Sequence, residues 1–249
     1  MGNTVDTQYK KPPITEAIIS IVFAQPINDT ALTDLQRKFS KHYPHSQPIE
    51  NVHVNLNIGA LPNTNVTETR ERGYRLSSND MTELLVLHPK SITVSQLAPY
   101  PGWQPFFERF CRDWTTRRRI LGFQTVERIG VRYINRVDIP MEGKSIAHED
   151  YLNVFPRVPA ELGPLNAYTV QVQIFMDDLK AQLVINSASV PAPILKHASF
   201  VIDQDIVRLA DVPQKDGDIF DLIGRIRDRK NHVFESCVTD QARSLFRDG

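Results

Sequence analysis

Between residues 52 and 58 every second side chain is apolar: Val52, Val54, Leu56 and Ile58 alternate with His53, Asn55 and Asn57. Strand side chains point alternately to the two faces of a sheet, so this segment predicts a sheet with one covered and one open face. A parallel sheet covered by helices on both sides would instead read as continuous apolar runs. The alternation returns near 125–138, 168–175 and 182–187. The expectation is an antiparallel sheet with helices on a single side.

Around these strands the elements fall in order. Residues 1–11 are polar and read as a flexible arm. Ile14 to Phe23 is rich in β-branched residues and ends at Gln25-Pro26, a strand with a stop. Asn28 or Asp29 caps a helix whose Leu32, Leu35 and Phe39 repeat at helical spacing until Pro44. After the alternating strand, 59–72 reads as a polar loop, followed by three short strands near 74–77, 84–88 and 92–97. Asn79-Asp80 and Pro89-Lys90 supply the turns between them. A long helix over about 102–121 carries the stripe Trp103, Phe106, Phe107, Phe110 and Trp114. Arg109, Arg112 and Arg117 to Arg119 are expected on its wet face.

The pattern then begins again. A strand over 125–138 leads through a short helix near His148 to three strands, at 168–175, 182–187 and about 198–203. The closing helix has Ile219, Leu222, Ile223, Ile226, Val233 and Phe234 at steps of three and four, and Thr239 caps a last turn. This order predicts an α+β fold of two similar β-α-β(3–4)-α halves, 12–122 and 123–249, with long helices packed on one face of an antiparallel sheet. The topology resembles the TATA-binding-protein or helix-grip type.

Composition narrows the function classes. Of 249 residues, 41% are hydrophobic and 23% charged, which excludes global disorder, and 29 basic side chains balance 29 acidic ones. No net field exists to drive sequence-independent attachment to nucleic acid or an anionic membrane. No apolar run reaches the ~20 residues that span a bilayer, and residues 1–11 lack a signal pattern, so a cytoplasmic protein without membrane contact is expected. Cys111 and Cys237 sit in apolar helical patterns and read as reduced thiols.

No phosphate loop, Gly-x-Gly-x-x-Gly, nucleophile elbow or zinc helix occurs, and no cofactor is implied. His42 and His45 flank Pro44 without a converging third ligand, and His148-Glu149-Asp150 reads as a helix start. His197, Ser199 and Asp203 share a strand face, but six residues put His197 and Asp203 about 20 Å apart, too far for a triad.

The most informative polar feature is Arg128, Arg132 and Arg136, three guanidinium groups on one face of one strand. They repel one another unless something negative compensates, either internal carboxylates or an external anion or partner. His53, Asn55, Asn57, Arg75, Gln171 and Gln173 are expected on the same open face, making a surface rich in amide and guanidinium donors. These nine residues are the candidate ligand- or partner-binding set, with no catalytic or metal residues among them.

Pro12-Pro13-Ile14 with Glu16-Ala17, the Tyr100 to Trp103 segment, Arg128-Ile129-Gly130 leading into Arg132-Tyr133-Ile134-Asn135-Arg136, and Phe234-Glu235 with Thr239-Asp240 carry a resemblance. Together they resemble a sporadically distributed family of uncharacterised prokaryotic proteins of about this length. Such a distribution implies a mobile phage-defence or toxin–antitoxin type locus. The expected function is non-enzymatic recognition of a protein partner or small anionic ligand. The alternatives are nucleic-acid binding through the polar sheet face, and an enzyme with a dispersed site.

Overall fold

The computed structural model describes residues 9–57, 65–141, 143, 146–163 and 165–247. In chain order it contains β1 (Ile14–Phe23), α1 (Asp29–Phe39), β2 (His45–Asn57), β3 (Asn65–Ser77), β4 (Glu83–His88), β5 (Ser91–Leu97), α2 (Trp103–Leu121), β6 (Val126–Pro140), β7 (Thr169–Met176), β8 (Ala181–Val190), β9 (His197–Arg208), α3 (Asp216–Cys237) and α4 (Asp240–Arg247). The fold is α+β. Among the described residues nine strands form an antiparallel sheet in the order β2-β3-β4-β5-β1-β6-β9-β8-β7. Among the described residues no helix is long and apolar enough to cross a membrane.

One expectation fails between 65 and 72. That stretch belongs to β3, which pairs with β2 from Asn57↔Asn65 to His45↔Ser77. Asn-Val-Thr-Glu-Thr-Arg-Glu-Arg offers no apolar face, so its strand character comes from backbone pairing that side-chain periodicity cannot register. The rest of the expected loop lies outside the described residues.

Two compact units divide the chain, which passes between them at 19/20, 96/97, 100/101 and 127/128, the first, second and last of these inside strands β1, β5 and β6. In the unit holding residues 20–96 and 101–127, Asn28 Oδ1 caps α1 by accepting from Ala31 N–H at 2.8 Å. Helix α2 ends at Gly122, whose N–H still donates to Arg118 O and whose φ of 71°, open to glycine, turns the chain out of the helix. Phe106, Phe110 and Trp114 are buried as the stripe requires.

The expected wet face of α2 is partly wrong. Steps of three and four from Phe106 and Phe110 also land on Arg109, Asp113 and Arg117, and all three are buried. Tyr43 Oη donates to Asp113 Oδ2 at 2.5 Å, and Arg112 Nε donates to Oδ1 at 2.9 Å. Arg109 donates to Tyr43 Oη at 3.2 Å, Ser95 O at 2.7 Å and Gln96 Oε1 at 3.2 Å. Arg117 instead lays its guanidinium 3.5 Å from the centre of the Phe23 ring. Burial pushes its pKa down to about 9. The sequence marked these arginines as charged but gave no sign of the polar partners that let Arg109 go inside.

The other unit, residues 9–19, 97–100 and 128–247 of the described chain, carries the candidate site. Here Ile129, Val131, Tyr133, Val137 and Ile139 of β6 and Phe200, Ile202 and Ile206 of β9 are buried on one sheet face. Helix α3 covers it with Ile219, Ile223 and Ile226, and Lys230 Nζ sits 3.7 Å over the Tyr133 ring. Thr239 Oγ1 caps α4 by accepting from Ala242 N–H at 3.3 Å. The opposite face bears the arginines.

Candidate functional site

Strand alternation brings Arg128, Arg132, Arg136 and Asp138 to one face of β6. Antiparallel pairing with β9 sets Asp203 and Asp205 beside them, since Arg132 lies opposite Asp205 and Ile134 opposite Asp203. Gly130 occupies the position between Arg128 and Arg132. A Cβ there would meet the Arg128 guanidinium at 3.1 Å, so glycine leaves room for that group to lie along the strand.

Each arginine has a carboxylate. Arg132 makes a two-pronged contact, Nε to Asp203 Oδ1 and Nη2 to Oδ2, both at 2.7 Å. These hydrogen bonds hold the Arg132 pKa above its ordinary value. Arg128 Nη2 lies 3.7 Å from Asp205 Oδ2, whose carboxyl is pushed up by burial and drawn back by Arg128 and Arg132. Arg136 Nε donates to Asp138 at 3.0 and 3.1 Å, and Ser199 Oγ donates to the same carboxylate at 2.5 Å. Of the two compensations open to the row, the structure contains the internal one.

Amides extend the network across the face. Asn186 Nδ2 donates to Asp203 Oδ2 at 3.0 Å, Gln171 Nε2 to Asn186 Oδ1 at 2.8 Å and Gln173 Nε2 to Gln171 Oε1 at 3.2 Å. A continuous chain of hydrogen bonds therefore joins Arg132 to both glutamines. Arg75 is exposed on β3 in the other unit. The side chains of His53, Asn55 and Asn57 lie outside those described. His197, Ser199 and Asp203 serve different partners: Leu195 O, Asp138 and Arg132.

Arg136 differs from its neighbours. Only its Nε is used by Asp138, and among the described residues its Nη1 and Nη2 have no hydrogen-bond acceptor. It lines a cleft of about 260 Å³ with Lys11, Pro12, Pro13, Ile14, Thr15, Ala98, Asp138, Leu245 and Phe246. Backbone bonds frame the opening, from Arg136 N–H to Pro13 O at 2.8 Å and from Lys11 N–H to Phe246 O at 3.2 Å. The N-terminal Tyr9 is fixed alongside, donating to Glu235 at 2.6 Å and packing edge-on against Phe246. Sequence reading named Arg136 but missed the cleft, whose walls come from four separate stretches of chain, at 11–15, 98, 136–138 and 245–246.

Arg132 gives a direct test of the pairing. Replacing it by Glu sets a new carboxylate against Asp203, which is buried, and Asp205. The unfolding free energy in urea is expected to fall by about 1–3 kcal/mol, reduced from the fully buried case because Arg132 is half-exposed. An unchanged midpoint would mean that the pair contributes nothing.

No family model matches the chain, and no curated protein matches it. Among solved structures, the S. pombe Pct1 RNA triphosphatase in complex with the Spt5 CTD is similar over 98% of this chain and 89% of that one. The identity is 8% and the TM-score 0.13, a likeness that carries no argument about fold or function.

Proposed function

We propose that this is a non-enzymatic recognition protein that binds a small anionic ligand, a carboxylate with an apolar body, in the Arg136 cleft. The observation that carries this reading is the Nη pair of Arg136, without an acceptor among the described residues, in a cleft whose other walls are mostly Pro, Ile, Leu and Phe. A guanidinium fork matches a carboxylate in two-pronged geometry, and the apolar walls suit the remainder of such a molecule. The cleft is smaller than the ~300–1,000 Å³ of drug-sized sites, which favours a small ligand. Its polar lining is Lys11, Thr15, Arg136 and Asp138, and Asp138 is already engaged by Arg136 and Ser199, so binding is favoured over proton transfer.

Nucleic acid is the poorer reading. Asp138, Asp203 and Asp205 share the face of the arginines and neutralise the field that phosphates would need.

The two halves are read as a duplication of helix-grip or TATA-binding-protein type, supported by strand order: β5-β4-β3-β2 runs outward from β1 as β9-β8-β7 runs outward from β6. Membership of the sporadically distributed family, with a role in a mobile defence or toxin–antitoxin locus, rests on the motif resemblance alone.

Phenylacetate is a suitable probe, with inorganic phosphate as the comparison. Phenylacetate is expected to raise the melting temperature of the wild type and to leave Arg136→Gln unmoved, while Arg136→Lys, which keeps the charge but not the fork, responds weakly. An equal response of wild type and Arg136→Gln would sink the reading.

A further inference from the structure

Strand β7 ends the sheet order, so among the described residues one of its edges has no strand beside it. Natural edge strands are commonly guarded by lysine, proline, bulges or a covering element. The eight residues of β7, Thr-Val-Gln-Val-Gln-Ile-Phe-Met, contain no charge and no proline. Its register with β8 runs unbroken from Thr169↔Ala188 to Met176↔Ala181, without a bulge. Ile174 and Phe175 are 45% and 60% exposed, although one faces the helix side of the sheet and the other the open side.

The direction of the free backbone groups follows from the pairing. Ser189 N–H donates to Tyr168 O at 3.0 Å, which makes 168↔189 a hydrogen-bonded pair. In an antiparallel ladder the bonding alternates, so Val170, Val172, Ile174 and Met176 turn their N–H and C=O towards β8. Thr169, Gln171, Gln173 and Phe175 turn theirs outward.

We infer that β7 pairs antiparallel with β7 of a second copy of this chain about a two-fold axis at Val172. In that register Thr169 faces Phe175 of the second copy and Gln171 faces its Gln173, so all four outward residues find backbone partners. On the helix side Val170 meets Ile174 and Val172 meets Val172, β-branched side chains against β-branched side chains. On the open side the Gln171 and Gln173 amides meet across the axis, extending the hydrogen-bond chain that begins at Arg132. Moving the axis to residue 171 or 173 leaves one outward residue at a strand end without a partner. The segment is self-complementary in backbone, shape and charge, and a two-fold interface requires that of one patch. The uncharged strand sets no like charges opposite each other, as a strand rich in lysine would.

Sedimentation velocity on the full chain tests the assignment with two double variants of exposed residues, neither of which touches the buried core. The wild type is expected to be a dimer at micromolar concentration. Gln171→Lys with Gln173→Lys sets lysine opposite lysine twice and is expected to weaken the dimer about tenfold or more. Gln171→Lys with Gln173→Glu sets opposite charges across the axis and is expected to keep the dimer. A monomeric wild type overturns the proposal, as does a dimer indifferent to the double lysine change. Dissociation of both variants alike overturns the register.

Discussion

Replacing Asp113 by Ala is expected to cost about 3–5 kcal/mol, because it strands positive charge inside the protein. The carboxylate is fully buried and accepts from Tyr43 Oη and Arg112 Nε, while Arg109 and Arg112 both donate to the same Tyr43 oxygen. Burial pushes the Asp113 pKa up, and the Arg112 hydrogen bond opposes that shift. With Ala at 113, the Arg109 guanidinium remains inside, 5% exposed, with its acceptors at Ser95 and Gln96 and with Glu83 Oε1 3.7 Å away, but without the buried Asp113 charge. Asp113→Asn keeps the shape and one acceptor and is expected to cost less, about 1–3 kcal/mol. Urea unfolding of the two variants against wild type measures both. A loss below ~1 kcal/mol for Asp113→Ala would mean that water or a shifted arginine restores the network.

The second large effect is Phe110→Ala. The ring is fully buried, stacked against Phe107 at 6.2 Å and Trp114 at 6.3 Å between centroids. Removing it takes a whole aromatic side chain out of the α2 stripe, and the flanking rings are themselves fixed: Trp114 stacks on Phe23 and Phe107 on Trp103. Neighbours so held collapse poorly into a cavity, which places the expected cost at about 3–5 kcal/mol. An unfolding free energy lowered by less than ~1 kcal/mol in urea would refute that packing. The two changes probe opposite halves of one helix face, one polar and one aromatic, at positions three residues apart.

The cleft and the sheet edge lie in different parts of the second unit. Ligand binding at Arg136 uses the cleft between the chain start, β6 and α4, whereas self-pairing uses β7. Arg136→Gln is therefore expected to leave the oligomeric state unchanged, and the double lysine variant to leave the phenylacetate response unchanged.

Sequence by itself determined the elements whose signal is carried by side-chain period. The helices α1, α2 and α3 and the strands β6 to β8 follow from alternation or from steps of three and four, because burial of one face imposes that period on the residues, while β1 follows from its β-branched content and β4 and β5 from the turn residues beside them. It also determined that Arg128, Arg132 and Arg136 share a face, since even separations on a strand do so. Only tertiary structure decided what those arginines do. Asp203 and Asp205 lie some seventy residues away and reach Arg132 and Arg128 through the register of β6 with β9, a backbone property that side chains do not encode. The same reason hides the first part of β3, polar on both faces, and the polar partners that take Arg109 into the core. The Arg136 cleft needs Pro12, Ala98 and Phe246 brought together, and the free edge of β7 follows from being last in the sheet order. Periodicity records which face of an element is dry, whereas pairing partners and edges depend on how the elements are joined.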